Sequence, residues 1–212
     1  MRTTFDKELD HLHEAMEEIG QLCKESISES TDTLFTGNYH EAKDTINLHH
    51  RIHKAERDIE ETCLRLLMEQ QPVATDLRII SASLKSVYDL ERIGEIGADI
   101  ADLVLNEHLT VANDMLNLKS MSQIATGMVN DAVTALVNQN VELAKAVIDR
   151  DDQVDEGFDK AKSFLIDNFN KDGNPEYLIN LMMVAKYFEK IGDHAVNIAK
   201  WSLFVTTGKT GR

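Results

Sequence analysis

The sequence predicts an all-α protein built from two tandem antiparallel three-helix bundles that are related by internal duplication. Only two of the 212 residues are proline and ten are glycine, which suits long helices. Apolar residues recur at spacings of three and four through stretches of about thirty residues, as on the buried face of a helix. The segment LERIGEIGADIA at 90–101 returns as FEKIGDHAVNIA at 188–199, so the second half repeats the plan of the first.

The first half holds three predicted helices. Helix one covers about 4–36 and ends at the stop signal Gly37-Asn38. Helix two covers about 39–70 and ends at Pro72, because proline lacks the amide hydrogen that a helix interior requires. Helix three covers about 73–106 and carries the first copy of the repeated segment in its second half.

The second half is predicted to follow the same order. Helix four covers about 113–137 and ends at the polar break 138–140, which reads NQN. Helix five covers about 141–170, and the KDGNP sequence at 171–175 indicates a turn. Helix six covers about 176–205.

These helices define the predicted domain organisation. The first three-helix repeat spans 1–109, the second spans 110–206, and a flexible tail follows at 207–212. The connections within each repeat are short, which favours antiparallel neighbours.

The composition limits the partners that the chain can have. Its formal net charge is −15 and its pI is about 4.9, so nucleic acid and anionic membrane surfaces should repel it. Cations, or a protein with a basic patch, are suitable partners. Cys23 and Cys63 form no disulfide framework, and no apolar run reaches the roughly 18–20 residues of a membrane span. A cytoplasmic location is expected.

The repeated segment places oxygen-bearing side chains at successive turns of helices three and six. Residues four apart lie on nearly the same helix face. Each copy therefore predicts a stack of oxygen donors, formed by Glu91, Glu95 and Asp99 in the first half and by Glu189, Asp193 and Asn197 in the second.

Helices two and five carry matching acids in otherwise apolar faces, namely Glu56 and Glu60 in the first half and Asp151 and Asp155 in the second. The midpoint between Glu56 and Glu91 falls at the connection near Pro72, and the midpoint between Asp151 and Glu189 falls near the KDGNP turn. Each half should therefore bring acids from two neighbouring helices to one level. Because clustered carboxylates in a dry seam repel one another, metal ions, Arg or Lys partners, or open water must stabilise them.

Two interpretations of these acids remain open at this point. Arg92 and Lys190 lie beside them, so they could form a solvated face with salt bridges. Alternatively they bind metal, and oxygen-only ligands favour hard cations such as magnesium, manganese or iron.

The histidines are assigned no metal-binding role from the sequence. His49 and His53 are four residues apart on helix two and are predicted to lie on the surface, and His194 has no counterpart in the first half. Ferritin-like di-iron bundles need a Glu-x-x-His motif on two helices. Here only Glu8 and His11 fit that motif, without a second copy.

The stretch QQPVATDLRIISASLKSVYDLERIGEIGADI at 70–100 closely resembles the PhoU family of phosphate-uptake regulators, and RTTFDKELDHL and FEKIGDHAVNIA resemble that family too. The chain departs from the family pattern at Glu95, where Asp is usual, and at Asn197, which stands opposite Asp99. The resemblance implies two three-helix bundles with multinuclear metal sites at the acidic motifs. Iron is the first choice of ion, and zinc, manganese and magnesium are alternatives.

The resemblance also implies a regulatory, non-enzymatic role in phosphate homeostasis. The expected partners are the ATPase subunit of the phosphate-specific ABC transporter and the phosphate-regulon sensor histidine kinase, both of which the protein would restrain. A homodimer is expected, with no nucleic-acid partner and with membrane contact only through partners. The alternatives are a carboxylate-bridged di-iron protein, acting in oxidation or storage, and a helical interaction module that binds no metal.

Overall fold

The computed structural model describes residues 2–69, 73–169 and 174–209. Over these ranges the chain forms six helices, which are α1 Arg2–Thr36, α2 Tyr39–Glu69, α3 Ala74–Asn106, α4 Leu118–Val137, α5 Val141–Asn168 and α6 Pro175–Thr207. The predicted all-α class and the number of helices are confirmed for this part of the chain.

The largest difference from the predicted boundaries lies at the start of α4. This helix begins at Leu118 rather than near residue 113, because the carboxylate of Asp114 accepts hydrogen bonds from the amides of Leu118, at 2.7 Å, and Lys119, at 3.1 Å. The intervening Asn117 has a φ of 56°, which no helix interior adopts. The side chain of Asp114 thus satisfies amides that have no partner within the helix.

The end of α6 also differs from the prediction. The helix continues through Thr207, so the first residue of the predicted tail is helical. Gly208 then takes a φ of 70°, and its amide donates to the carbonyl of Phe204. This left-handed turn ends the helix. The predicted features at 70–72, most of the KDGNP turn, and residues 210–212 lie outside the described residues.

The packing of the helices joins the two halves through one core. Helices α1, α2 and α3 contact one another, as do α4, α5 and α6. Between the halves, α3 packs on α6 and α1 packs on α4. These four helices form the centre of the molecule, and α2 and α5 each cover the outside of their own half. No helix in the described ranges has both the length and the apolar character that crossing a membrane requires.

Two helical glycines allow the outer helices to approach α3 and α6 closely. A Cβ atom on Gly94 would lie 2.7 Å from Cδ1 of Ile52 on α2, and a Cβ atom on Gly192 would lie 2.9 Å from Oδ1 of Asp151 on α5. Both distances are shorter than contacts between non-bonded atoms. The absence of a side chain at these glycines therefore determines how near the acids of each pair of helices lie.

Candidate functional site

The first acidic cluster lies between α2 and α3. Oε1 of Glu91 is 3.2 Å from Nε2 of His49 and 3.6 Å from Nδ1 of His53, and the same Nδ1 is 3.7 Å from Oε2 of Glu56. The side chains of both glutamates are only 16% exposed. The structure thus brings Glu56 and Glu91 to one level, with two imidazoles beside them.

The remaining acids of the first half are less enclosed. Glu60 is exposed at the edge of the cluster, and its carboxylate acts together with burial to raise the pKa of Glu56, burial being the larger cause. Glu95 forms an ion pair with Arg92 on the same helix. The cluster of the first half is therefore centred on Glu56 and Glu91.

The second acidic cluster lies between α5 and α6 and contains four carboxylates, those of Asp151, Asp155, Glu189 and Asp193. The pKa of Asp151 is raised to about 6, with burial as the largest cause and with repulsion from Asp155, Asp193 and Glu189 contributing in that order. Burial and repulsion from Glu189 and Asp193 likewise raise the pKa of Asp155. Burial and mutual repulsion thus make Asp151 bind a proton more readily than a free aspartate does.

Two lysines on α6 partly neutralise this second cluster. Nζ of Lys186 donates to Oε1 of Glu189 at 2.7 Å, and Nζ of Lys190 donates to Oδ2 of Asp193 at 2.5 Å. Lys190 also lies 3.4 Å from Oε2 of Glu189, which is an ion pair without hydrogen-bond geometry. Oε2 of Glu189 and Oδ1 of Asp151 are consequently buried without a hydrogen-bond partner.

These two buried oxygens bear on the question of whether a cation fits the second cluster. A buried carboxylate oxygen without a hydrogen-bond partner is costly, and a nearby positive charge would offset that cost. The donor set suits hard cations, which prefer oxygen. Among the described residues, no three or more His, Cys, Asp or Glu side chains are placed so that they could hold an ion as they stand. The charge and burial of the donors suit a cation, whereas their placement does not form a coordination site.

The structure places Asp99 and Asn197 away from the two clusters, in the interface between α3 and α6. The Tyr187 hydroxyl beside Asp99 acts to lower the pKa of that carboxyl, against the larger effect of burial, and the amide of Asn197 donates to Oδ1 of Asp89 at 3.2 Å. These two contacts occupy matching positions in the two halves. The 98-residue offset relates Asp89 to Tyr187, and it also relates Asp99 to Asn197.

The third donor of each predicted stack, Asp99 or Asn197, also contacts the central helix of the other half, and its part in metal binding stays a prediction. Successive helical residues are about 100° apart, so a residue eight positions further on is rotated by about 80°. Asp99 and Asn197 consequently turn from the outer helix of their own half toward the central helix of the other half.

Reasoning from the sequence missed two groups of residues. His49 was predicted to lie on the surface, yet it is only 23% exposed and contacts Glu91. His53 is 51% exposed, as predicted for a surface residue, and its ring also lies 3.6 Å from Glu91. Their spacing relative to Glu56 and Glu60 is four, three and four, which places all of them on one helix face and was the available signal. The pair between His194 and Asp89 had no such signal, because the two residues lie on different halves.

The raised pKa of Asp151 predicts a pH-dependent stability of the metal-free protein. The pKa of the Asp151 carboxyl is about 6 in the folded chain and near 3.8 in the unfolded chain. Proton binding at Asp151 therefore stabilises the folded chain fully below about pH 3.8, and this stabilisation is lost as the pH rises through about 6. Asp151→Asn should therefore raise the melting temperature at pH 7.5 in chelator, with a gain that shrinks toward pH 4.

Asp149→Asn is the matched control for this prediction, because Asp149 is an exposed aspartate on the same helix and is not among the carboxylates that raise the pKa of Asp151. It should leave the pH profile unchanged. Equal gains for the two variants at pH 7.5 would show that general charge reduction, and not the burial of Asp151, is responsible.

Comparison with known proteins identifies the family to which this chain is similar. A family model described as the PhoU domain matches residues 16–104 and again 118–202. A PhoU homologue from Aquifex aeolicus is 34% identical over 205 residues, which cover 96% of this chain and 93% of that protein. PhoU homologue 1 from Methanothermobacter thermautotrophicus is 31% identical over 209 residues, with 97% and 95% covered. Both curated names describe a phosphate-specific transport system accessory protein.

Solved structures agree with these matches. The crystal structure of PhoU from Pseudomonas aeruginosa is similar with a TM-score of 0.90 at 28% identity and covers 97% of this chain and 100% of that one. The phosphate transport system regulatory protein PhoU from Streptococcus pneumoniae gives a TM-score of 0.89 at 27% identity, with 98% and 99% covered. Because the family model matches both halves of the sequence and the fold agrees over nearly all of it, the chain belongs to the PhoU family.

Proposed function

We propose that this protein is a regulatory accessory protein of a phosphate-specific transport system. The observation that carries the proposal is the match over almost the whole chain to relatives whose names describe that role, at 31% and 34% identity. Both repeats and both hairpins that hold the acidic clusters are included in the match. A regulatory role is preferred to a catalytic one, because the clusters are built to hold charge between helices.

The proposed partners are the ATPase subunit of the phosphate ABC transporter and the phosphate-regulon sensor histidine kinase, which the protein would restrain when phosphate is plentiful. A net charge of −15 supports docking on basic patches of such proteins and disfavours nucleic acid. The protein would act in the cytoplasm, as a homodimer, and would reach the membrane only through its partners.

The proposal includes cations at the two acidic clusters, with iron as the first choice and zinc, manganese or magnesium as alternatives. A bound cation would supply positive charge that joins neighbouring helices. In the second half, Asp151 and Glu189 would direct their unpartnered oxygens to it, and Asp155 and Asp193 would complete the donors. In the first half, Glu56 and Glu91 would bind it, with Glu60 and Glu95 at the rim. Asp99 and Asn197 remain proposed donors one turn further along α3 and α6, and they also contact the interface between these helices.

The proposed partners are tested by affinity capture. The purified full chain, loaded with iron or manganese, should retain the ATPase subunit and the cytoplasmic part of the sensor kinase from the same organism. Retention should fall as the salt concentration rises, because charge complementarity drives the contact. Failure to retain either protein at every phosphate and salt concentration would contradict the proposal.

The proposed cations are tested by the metal content of protein purified without chelator or nickel resin. Glu91→Ala combined with Glu189→Ala should remove most of the bound metal, because each substitution deletes a central carboxylate of one cluster. Glu107→Ala combined with Glu142→Ala is the control, since it removes two exposed glutamates outside the clusters. Equal metal content in all three proteins would remove the site assignment while leaving the partners untouched.

A further inference from the structure

The seam between α5 and α6 changes character along its length. Near the middle of the two helices it carries the second acidic cluster, and toward the hairpin end it becomes an apolar groove lined by Leu165, Ile166, Phe169, Leu178, Ile179, Met182 and Met183. We propose that this seam is a docking site for an amphipathic helix of a partner protein, with apolar residues at one end of that helix and Lys or Arg at the other.

The acids and the groove lie on one face of α5. Gly157 marks the face toward α4, since a Cβ atom there would lie 2.9 Å from Cγ of Met121 on that helix. At about 100° per residue, Asp155 and Ile166 are rotated by about 160–180° from Gly157 around the helix axis. The seam therefore faces away from α4 and toward solvent.

Four side chains of the groove leave much of their apolar surface in water. Ile166, Phe169, Ile179 and Met183 are between 41% and 64% exposed. Single exposed apolar residues are ordinary, but a contiguous group on two adjacent helices is typical of an interaction surface. A partner that covered these side chains would gain free energy in proportion to the apolar area removed from water.

The first half provides an internal comparison for two of these residues. By the 98-residue offset, Ile179 matches Ser81 and Met183 matches Lys85. Ser81 is half-buried and Lys85 is exposed. The fold of a repeat therefore does not require apolar side chains at these positions, and their presence in the second half alone indicates a role beyond folding.

The aromatic ring of Phe158 lies where the acidic part of the seam meets the apolar part. Nζ of Lys186 lies 4.8 Å from the centroid of this ring, and Nζ of Lys162 lies 5.5 Å from it. Asp155 precedes Ile166 by 11 residues, which is about 16 Å along a helix. A single partner helix of about 15–20 residues would therefore reach both parts of the seam.

The charge of the seam determines which partner fits it. Helix α5 carries eight Asp and Glu residues against four Lys and Arg residues, and buried oxygens of Asp151 and Glu189 have no hydrogen-bond partner. A second copy of this chain would bring further acids to the seam, and an anionic membrane would be repelled by the same charge. Lys or Arg at one end of a partner helix would instead complement it, so a basic amphipathic helix suits both parts of the seam.

The test measures fluorescence anisotropy of labelled synthetic helical peptides of about 18 residues, which are about 27 Å long. Each peptide carries Leu on one face of its first two turns and Lys on the same face of its last two turns, and the set varies the spacing between the two groups. The full chain is kept in chelator, because a cation at the acidic cluster would offset the same charge. At least one peptide should bind, with an affinity that falls as the salt concentration rises.

Two substitutions in the groove test where that peptide binds. Ile179→Ser/Met183→Ser should weaken its binding by at least about 10-fold, because the apolar area that the peptide would bury is lost. Leu64→Ser/Met68→Ser is the control, since it removes two exposed apolar side chains from α2, and it should leave the affinity unchanged. Circular dichroism verifies that both variants are folded.

Two further measurements use the unsubstituted chain. Replacing the lysines of the peptide by glutamate should weaken its binding by at least about 10-fold, because like charges then face each other. In methyl NMR spectra the resonances of Met182 and Met183 should shift when the lysine peptide binds, and that of Met68 should not.

Four results would overturn this inference. They are that no peptide binds, that the glutamate peptide binds as well as the lysine peptide, that Ile179→Ser/Met183→Ser retains the affinity, or that the two groove methionines show no shift. Loss of a dimer in this variant would instead assign the groove to a second copy, and loss of binding to phosphatidylglycerol vesicles would assign it to a membrane, and either would overturn the inference too. Capture of the ATPase subunit and the sensor kinase tests the proposed function separately.

Discussion

Gly97→Val should lower the free energy of unfolding by about 3 kcal/mol, which is the upper end of the usual cost of overpacking a core. A Cβ atom on Gly97 would lie 2.2 Å from Oγ of Ser26 on α1, 3.2 Å from its Cβ and 3.3 Å from its backbone carbonyl carbon. Rotation of the hydroxyl removes the first of these contacts, but the other two belong to the helix itself. The helices α1 and α3 would therefore have to separate, and urea denaturation would measure the loss.

Gly127→Ala is the matched control for Gly97→Val. Gly127 also lies inside a helix, but the nearest atom to its Cβ would be Nη1 of Arg150, at 3.4 Å, and this is the end of a flexible side chain. Replacing a helical glycine by alanine without a steric clash should raise the stability by about 0.5–1 kcal/mol. If Gly97→Val is as stable as the unsubstituted protein, the close contact between α1 and α3 is wrong.

His194→Leu should lower the free energy of unfolding by about 3 kcal/mol. Nδ1 of His194 lies 2.8 Å from Oδ1 of Asp89, and the two side chains are 20% and 10% exposed. Without the imidazole, Asp89 would be a largely buried carboxylate with only the amide of Asn197, at 3.2 Å, as a hydrogen-bond partner. Removing one member of a buried pair is costly because the other remains enclosed and uncompensated.

A double-mutant cycle separates this pair from general packing losses. Asp89→Leu combined with His194→Leu should cost much less than the sum of the two single substitutions, because no buried charge is left. His40→Ala, which breaks an exposed histidine–carboxylate pair, should cost less than about 1 kcal/mol. Additive effects of the two substitutions would show that Asp89 and His194 do not interact.

The contact between Asp89 and His194 also shows how the duplicated halves have diverged. By the 98-residue offset, Asp89 matches Tyr187 and His194 matches Ile96. One side of the interface between α3 and α6 therefore contains an aspartate with a histidine and an asparagine, and the equivalent side contains an aspartate with a tyrosine. The two halves share a fold but dock through unlike polar contacts.

Much of the candidate site could be predicted from the sequence because it depends on local geometry. Helical periodicity and the length of each hairpin place Glu56 at the level of Glu91, and the same two quantities place Asp151 near Glu189. The 98-residue repeat then predicts that both halves carry such a cluster. The boundary of α4 was missed because a single side chain, Asp114, moves the start of that helix by several residues.

The amino-acid sequence by itself determined the helical class, the duplication and the pairing of acids within each hairpin, because these follow from spacing along one chain or across one short turn. Only the tertiary structure decided which helices of the two halves meet, and therefore that Asp99 and Asn197 face the interface between α3 and α6. The physical reason is that periodicity places a residue on a face of its helix, whereas the neighbour which that face contacts depends on how the whole core packs.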